Sequence, residues 1–460
     1  MKRAPAVVFM LAEALMGSLG AAGGADSGDP YSLVASMLSD ERAVRAEAAA
    51  ALEKRADLSA VPALVDAVFF TPRSSRREIF GLLTSLTGQE LQDYYDWVEW
   101  VGAQEQIEPA PGYFEWKKSL LVRIDPQYRK VFYQGAPARI RLEEIVWGGV
   151  PLAGIPALND PPTLAVSGAR YLKKRERVFG LVLNGEARAY PLRILSWHEL
   201  LNDRLGGEPI VLSFCTLCGS GIFYLTRTPN GGAHRFDTSG LLYRSNKLMI
   251  DRQSRTLWSN LTGEPVVGRL ARIPYRLEVL PGTLTTWESW LRENPQTTVL
   301  DLAAIEAQMR PRYSFDYRPG AAERSRRGVS FPVWQKSDVL ERDRQVFAVR
   351  LADGVKAYPV DRVLDAGVVN DRIGTEPVLI VGDRASGAVR AYRRGAHEFV
   401  LHDGGWLEDD NGGRWSVKEQ GLESMESASA PPSVLERIPG HVALWFGWYG
   451  FYPQTEVWLG

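Results

Sequence analysis

Apolar positions through residues 30–103 recur at three- and four-residue spacing, the period of amphipathic helices. The stretch SMLSDERAVRAEAAAALEKRADLSAVPALVDAVF breaks near 57–59 and reopens at Val61-Pro62. Proline suits a first helical turn because an N–H there lacks a partner anyway. FGLLTSLTGQELQDYYDWVEWVG continues as an aromatic-rich terminal helical unit. QEQIEPAPG, 104–112, is a proline-containing linker, and beyond it short β-branched and aromatic runs alternate with Gly, Pro, Asn and Asp, the chemistry of strands and turns.

A single pattern occurs twice within this β-rich region. VFGLVLNGEARAYPLRILSWHELLNDRLGGEPIVLSFCTLCG, from Val178, aligns without a gap on VFAVRLADGVKAYPVDRVLDAGVVNDRIGTEPVLIVGDRASG, from Val346. Ala189-Tyr190-Pro191 falls on Ala357-Tyr358-Pro359, and Asn202-Asp203 on Asn370-Asp371. After a deletion, Trp258-Ser259 matches Trp415-Ser416. Trp287, Trp290 and Pro295-Gln296-Thr297 match Trp445, Trp448 and Pro453-Gln454-Thr455. The expected architecture is α+β: a helical region over 30–103, a first unit over 113–305 and a degenerate second copy over 328–460. The two units are mainly antiparallel and packed as a pseudo-symmetric pair. In each copy the pattern predicts a hairpin (178–183 and 187–190, around Asn184-Gly185), a helix over 191–202 and a strand over 209–214. A tight turn at 215–219, a returning strand over 221–226, strands near 248–251 and 256–258, a helix near 285–293 and a last strand over 297–300 follow.

Candidate chemistry gathers in the first copy. FCTLCGSGIFY holds the chain's two cysteines. Under the gapless alignment Cys215 lies opposite Asp383, Cys218 opposite Ser386 and His198 opposite Ala366. All three residues are missing from a copy that keeps the surrounding pattern, which points to one shared site. A C-x-x-C-G turn between antiparallel strands resembles the knuckles of rubredoxin and zinc-ribbon sites, where glycine permits a positive φ and N–H groups face the sulfurs. Cys215, Cys218 and an inward-facing His198 are therefore expected as ligands of a transition metal, zinc or copper. The fourth position is expected to be open or weakly filled, with Met249, His234, Asp251 and Glu199 as candidates to fill it. The insert SGLLYRSNKLMIDRQSRTLWSN adds Tyr243, Asn246, Asp251 and Arg252 as polar accessories, although Asp251-Arg252-Gln253-Ser254 also reads as a plain turn. The alternatives are a structural Cys215–Cys218 disulfide and a thioredoxin-like dithiol. The other histidines read as packing or solvent residues. No Walker A sequence, G-x-S-x-G elbow or H-E-x-x-H occurs.

Composition narrows the classes. With 54 basic and 55 acidic residues the net charge is −1, so no global field draws the chain to nucleic acid. Lys2 and Arg3, an apolar run interrupted by Glu13, and small residues over 20–25 form the layout of a secretory signal peptide over 1–25. The expected location is periplasmic or extracellular. No later segment has the about 18 consecutive apolar residues of a membrane span.

Two resemblances complete the reading. The helical pattern resembles HEAT-like repeats, which implies a platform for a protein partner. EEIVWGGVPLAGIPALNDP, NGEARAYPLRILSWHELLNDRLGGEPIVLSFCTLCGS, GLLYRSNKLMIDRQSRTLWSNLTGE and LTTWESWLRENPQTTVL look like the domain of unknown function 3179 family. The family's C-P-L-C-G-T motif carries Thr216 for proline and Ser220 for threonine here. The family implies domain extent and no reaction. The functional expectation is an exported metal- or redox-centre protein, against a non-enzymatic scaffold with a Cys215–Cys218 disulfide or a copper metallochaperone.

Overall fold

The computed structural model describes residues 29–325, 331–425 and 433–460; the expected signal peptide lies outside them. Helices Pro30–Ser36, Arg42–Arg55, Val61–Phe70, Arg76–Thr87 and Tyr94–Ala103 occupy the N-terminal region. Val61–Phe70 is apolar all round and its first eight residues are buried, as befits the central helix of a bundle. Its one acid, Asp66, meets Lys117 Nζ at 2.6 Å and accepts the Tyr113 hydroxyl at 2.7 Å. Tyr113 and Lys117 belong to a sixth helix, Tyr113–Ile124, in a stretch whose composition predicts strands and turns. Tyr113, Trp116, Lys117, Leu120 and Leu121 are its buried stripe at helical spacing, and that period decides the element. The helices share one core with a five-stranded sheet built from Ile145–Trp147, Phe236–Tyr243, Asn246–Asp251, Leu257–Ser259 and Pro265–Val267.

The first unit begins with the hairpin Arg177–Leu183 and Glu186–Pro191, turned by Asn184 and Gly185, both at positive φ. The helix that follows runs only from Leu192 to His198, not to residue 202. Glu199 ends it in the left-handed region at φ 59°. Leu200–Leu205 is instead a strand, paired through Gly206-Gly207 with Glu208–Cys215. Ladder hydrogen bonds across this glycine turn prevail over the helical spacing of Ile194, Trp197 and Leu201. Glu208–Cys215 then pairs with Ser220–Leu225, Cys215 opposite Ser220.

The second unit matches this register position for position. Val346 pairs with Pro359 as Val178 does with Pro191, Val368 with Val381 as Leu200 with Ser213, and Asp383 with Ala388 as Cys215 with Ser220. Side-chain contacts agree too. Tyr190 donates to Asp203 at 2.9 Å and Tyr358 to Asp371 at 3.0 Å. Trp290 donates to Thr297 at 2.9 Å and Trp448 to Thr455 at 2.8 Å. The second unit's eight-stranded sheet is nearly closed: Asn370, on one edge strand, bonds both the N–H and the C=O of Phe399 on the other. Asn202 bonds Phe236 in the same way, joining two sheets of the first unit.

The units interlock. Strand Gly440–Leu444 lies along Ser220–Leu225, and Thr283–Thr286 lies along Ala388–Arg393. A buried network crosses between them: Arg390 pairs with Glu419 and Glu293, while Arg437 and Glu419 both bond the Thr283 hydroxyl. The C-x-x-C-G turn therefore sits at the junction of the two units.

Candidate functional site

The turn Thr216–Gly219 connects two strands of the central hairpin, with Gly219 at φ 61°. Its cysteines are 1% and 0% exposed, and both thiols are free. Donors surround them. The S–H and backbone N–H of Cys218, and the backbone N–H of Lys247, point at the Cys215 sulfur. The Cys218 sulfur receives Asn246 Nδ2 at 2.9 Å and touches the Ser220 hydroxyl at 3.2 Å.

The two thiols diverge as a result. Burial pushes Cys215 up, but the Cys218 thiol and the two N–H groups outweigh it, and Cys215 settles at about 7. The nearby Glu199 charge opposes this fall. Burial, then the hydrogen bond to Cys215 and its charge, push Cys218 well above the ordinary thiol range. The two thiols are thus set apart, Cys215 pulled down and Cys218 pushed up, with Cys218 the donor and Cys215 the acceptor between them. Around it Lys247, itself buried, donates Nζ to the carbonyls of Glu199 and, at 2.8 Å, Phe214. Thr216 donates to Glu199 Oε1 at 2.9 Å.

His198 does not join the cysteines. Its Nδ1 meets the Pro156 carbonyl at 2.8 Å and its Nε2 the Tyr317 hydroxyl at 2.6 Å, with the ring stacked on Tyr317. A carbonyl only accepts, so Nδ1 carries the proton and Nε2 accepts from the tyrosine. Burial lowers this histidine to about 4. Helical spacing correctly indicates that His198 faces inward, but it faces the 315–317 segment rather than the knuckle. Among the described residues only His397, Asp409 and Asp410 bring three such ligand atoms within 4.8 Å of one another. The expected Cys215–Cys218–His198 ligand set is thus not assembled.

The other expected accessories divide. Asn246 reaches a sulfur and Glu199 stands beside one. Met249 packs in the core around Trp258. Tyr243 is engaged with Glu144, and Arg252 forms a bidentate pair with Asp237. Asp251 accepts the N–H groups of Gln253 and Ser254, the plain turn of the alternative reading, and lies 3.5 Å from His234. The His397 cluster has the same construction. Asp409 accepts N–H groups from Asn411 and Gly413 and from the Trp415 indole, and lies 3.5 Å from His397. The arrangement recurs in both units and caps a turn.

Sequence reasoning missed Lys247, Ser220, Asn260 and Gly447. Gly447 lies on the second unit's helix Trp445–Tyr449, and a Cβ there would collide with Cys218 Cβ. Leu444 N–H also donates to the Cys218 carbonyl at 2.8 Å. A signal existed: the tryptophan alignment sets Gly447 opposite Ser289, so the two copies differ at this helix position.

No curated protein and no solved structure matches the chain. A family profile, described as a protein of unknown function (DUF3179), matches residues 153–455, which cover most of both units and the whole cysteine turn. The chain belongs to the DUF3179 family.

Proposed function

We propose that the protein works through the Cys215–Cys218 dithiol, cycling it between the reduced pair and a disulfide. The observation that carries this reading is geometric: two free, buried cysteines close one strand turn, and the Cys218 sulfur takes Asn246 Nδ2 at 2.9 Å and touches the Ser220 hydroxyl at 3.2 Å, with Cys215 held low beside it. A low thiol beside a proton-holding partner is the arrangement thiol–disulfide exchange requires. The Cys215 thiolate attacks one sulfur of an incoming disulfide; that S–S bond breaks and one thiolate leaves. It takes the Cys218 proton. Cys218 sulfur then attacks Cys215 sulfur, and the second thiolate leaves. Two electrons pass from the pair to the partner disulfide. Because both cysteines are covered, exchange proceeds through local opening, and small reagents have the advantage.

We further read the two units as copies of one ancestral unit, the second having lost the chemistry and kept the turn. Asp383 stands where Cys215 stands and accepts the Ser386 hydroxyl at 2.6 Å and the Ala385 N–H at 2.9 Å. An acid–hydroxyl pair in place of the two cysteines keeps an anion in the first position and a donor in the fourth. That substitution favours a Cys215 thiolate in the first unit. The donors that hold a thiolate also suit a soft metal ion, but a closed zinc site needs further ligands that the described residues do not bring to the sulfurs. An exported location would set the dithiol in an oxidising compartment.

Equilibration in buffers of mercaptoethanol and hydroxyethyl disulfide, quenched by acid and read by intact mass, tests this. The expected result is a single transition that removes two hydrogens and disappears when either cysteine is replaced by serine. Thiols that stay reduced at every ratio, or stoichiometric zinc or copper in protein purified without chelator, would overturn it.

A further inference from the structure

We infer that Asn246, delivered by a strained hairpin tip, is a positioning residue that sets the thiol–disulfide equilibrium of Cys215 and Cys218. The inference rests on the dithiol reading. Tyr243 and Asn246 pair across the tip of the hairpin formed by Phe236–Tyr243 and Asn246–Asp251. The two residues between them, Arg244 at φ 49° and Ser245 at φ 56°, both lie in the left-handed region. Asn-Gly is the usual occupant of such a turn, and a residue with a Cβ costs about 1 kcal/mol or more at each position.

The strain is held from several sides. Arg244 forms a bidentate pair with Glu144 at 2.8 and 3.1 Å and donates to the Gly450 carbonyl of the second unit at 2.9 Å. Its guanidinium also lies 5.0 Å from the ring centres of Tyr243 and Trp334.

What the tip delivers is the amide of Asn246. Asn260 Nδ2 donates to Asn246 Oδ1 at 3.1 Å, which fixes the amide so that its NH₂ faces Cys218 Sγ at 2.9 Å. Asn260 is fixed in turn by the Ser213 hydroxyl, accepted at its Oδ1. Asn246 and Asn260 are 1% and 0% exposed, so the donation is dry. A hydrogen-bonded chain runs from Asn260 through Asn246 and Cys218 to Cys215.

The comparison between units supports the assignment. Phe236 and Phe399 stand in the same relation to Asn202 and Asn370. From Phe236 the first unit's strand runs on to Tyr243, whereas the second unit's ends at Leu401. The long arm occurs in the unit with cysteines. The Cys218 thiol that receives the amide itself donates to Cys215, so the amide strengthens a hydrogen-bonded chain that ends on the low thiol. A disulfide has no S–H to continue that chain and its sulfur is a poorer acceptor, so the amide favours the reduced pair.

Asn246→Ala and the isosteric Asn246→Asp, which keeps the acceptor for Asn260 and loses the donor, are titrated with mercaptoethanol and hydroxyethyl disulfide beside the parent protein. Both are expected to shift the equilibrium toward the disulfide by about tenfold, which is about 30 mV more negative. Asn246→Asp also tests the idea should Asn246→Ala fail to fold. Folded variants with the parent's equilibrium overturn the inference alone. A parent protein with no transition overturns both the inference and the dithiol reading.

Discussion

A thiolate at Cys215 makes the stability of the fold depend on pH in a defined direction. Its ordinary value is 9.0 and its folded value about 7, so between these limits the unfolded chain binds the extra proton. The contribution is fully present above about pH 9 and is lost as pH falls through 7. Cys218, raised by burial and by its partner, acts oppositely above 9, where the unfolded chain releases a proton that the folded one keeps. Urea denaturation should therefore show the parent gaining on Cys215→Ser by on the order of 2 kcal/mol between pH 7 and pH 9. A constant difference would contradict the thiolate. The pair itself is legible from cysteine count and spacing alone, and Asn246 from its place in the insert. His198 is not. Spacing along a helix reports that a side chain is buried, but not which neighbour receives it, and here Pro156 and Tyr317 do.

Among the elements, hairpins are the most readable, because Asn184-Gly185 allows few other conformations. The spacing predicts a helix over 191–202, but the helix ends at His198. Leu200–Leu205 has apolar residues that fit either period, and only its partner Glu208–Cys215, distant in helical terms, decides for a strand. The seating of helix Trp445–Tyr449 on the knuckle is likewise invisible locally, since it depends on a contact between units. It makes a sharp prediction. A methyl at Gly447 meets Cys218 Cβ well inside contact distance. Gly447→Ala should lower the thermal midpoint through overpacking of about 1–3 kcal/mol and raise the alkylation rate of the native thiols several-fold as the helix lifts. An unchanged alkylation rate would show that this helix does not control access.

For the whole molecule, the two units and the helical region form one interdependent structure. The N-terminal helices bury their apolar faces on the sheet that carries Asn246, so the helical region belongs to the site's foundation. Between the units, Glu419 is 3% exposed at the side chain and faces Arg390 and Arg437, each similarly buried. Glu419→Ala leaves those cations without their shared acid and should cost about 3–5 kcal/mol in equilibrium unfolding, far more than an exposed pair such as Arg384–Asp365. A loss comparable to that of Asp365→Ala would show that the network does not hold the units together. The central claim, that Cys215 is the attacking thiolate and Cys218 the proton holder, is tested most directly by mapping the mixed disulfide formed with hydroxyethyl disulfide at pH 7. Cys218→Ser is expected to accumulate the adduct on Cys215 whereas Cys215→Ser remains unmodified over the same period; equal labelling of the two variants, or faster labelling of Cys218, would contradict this assignment.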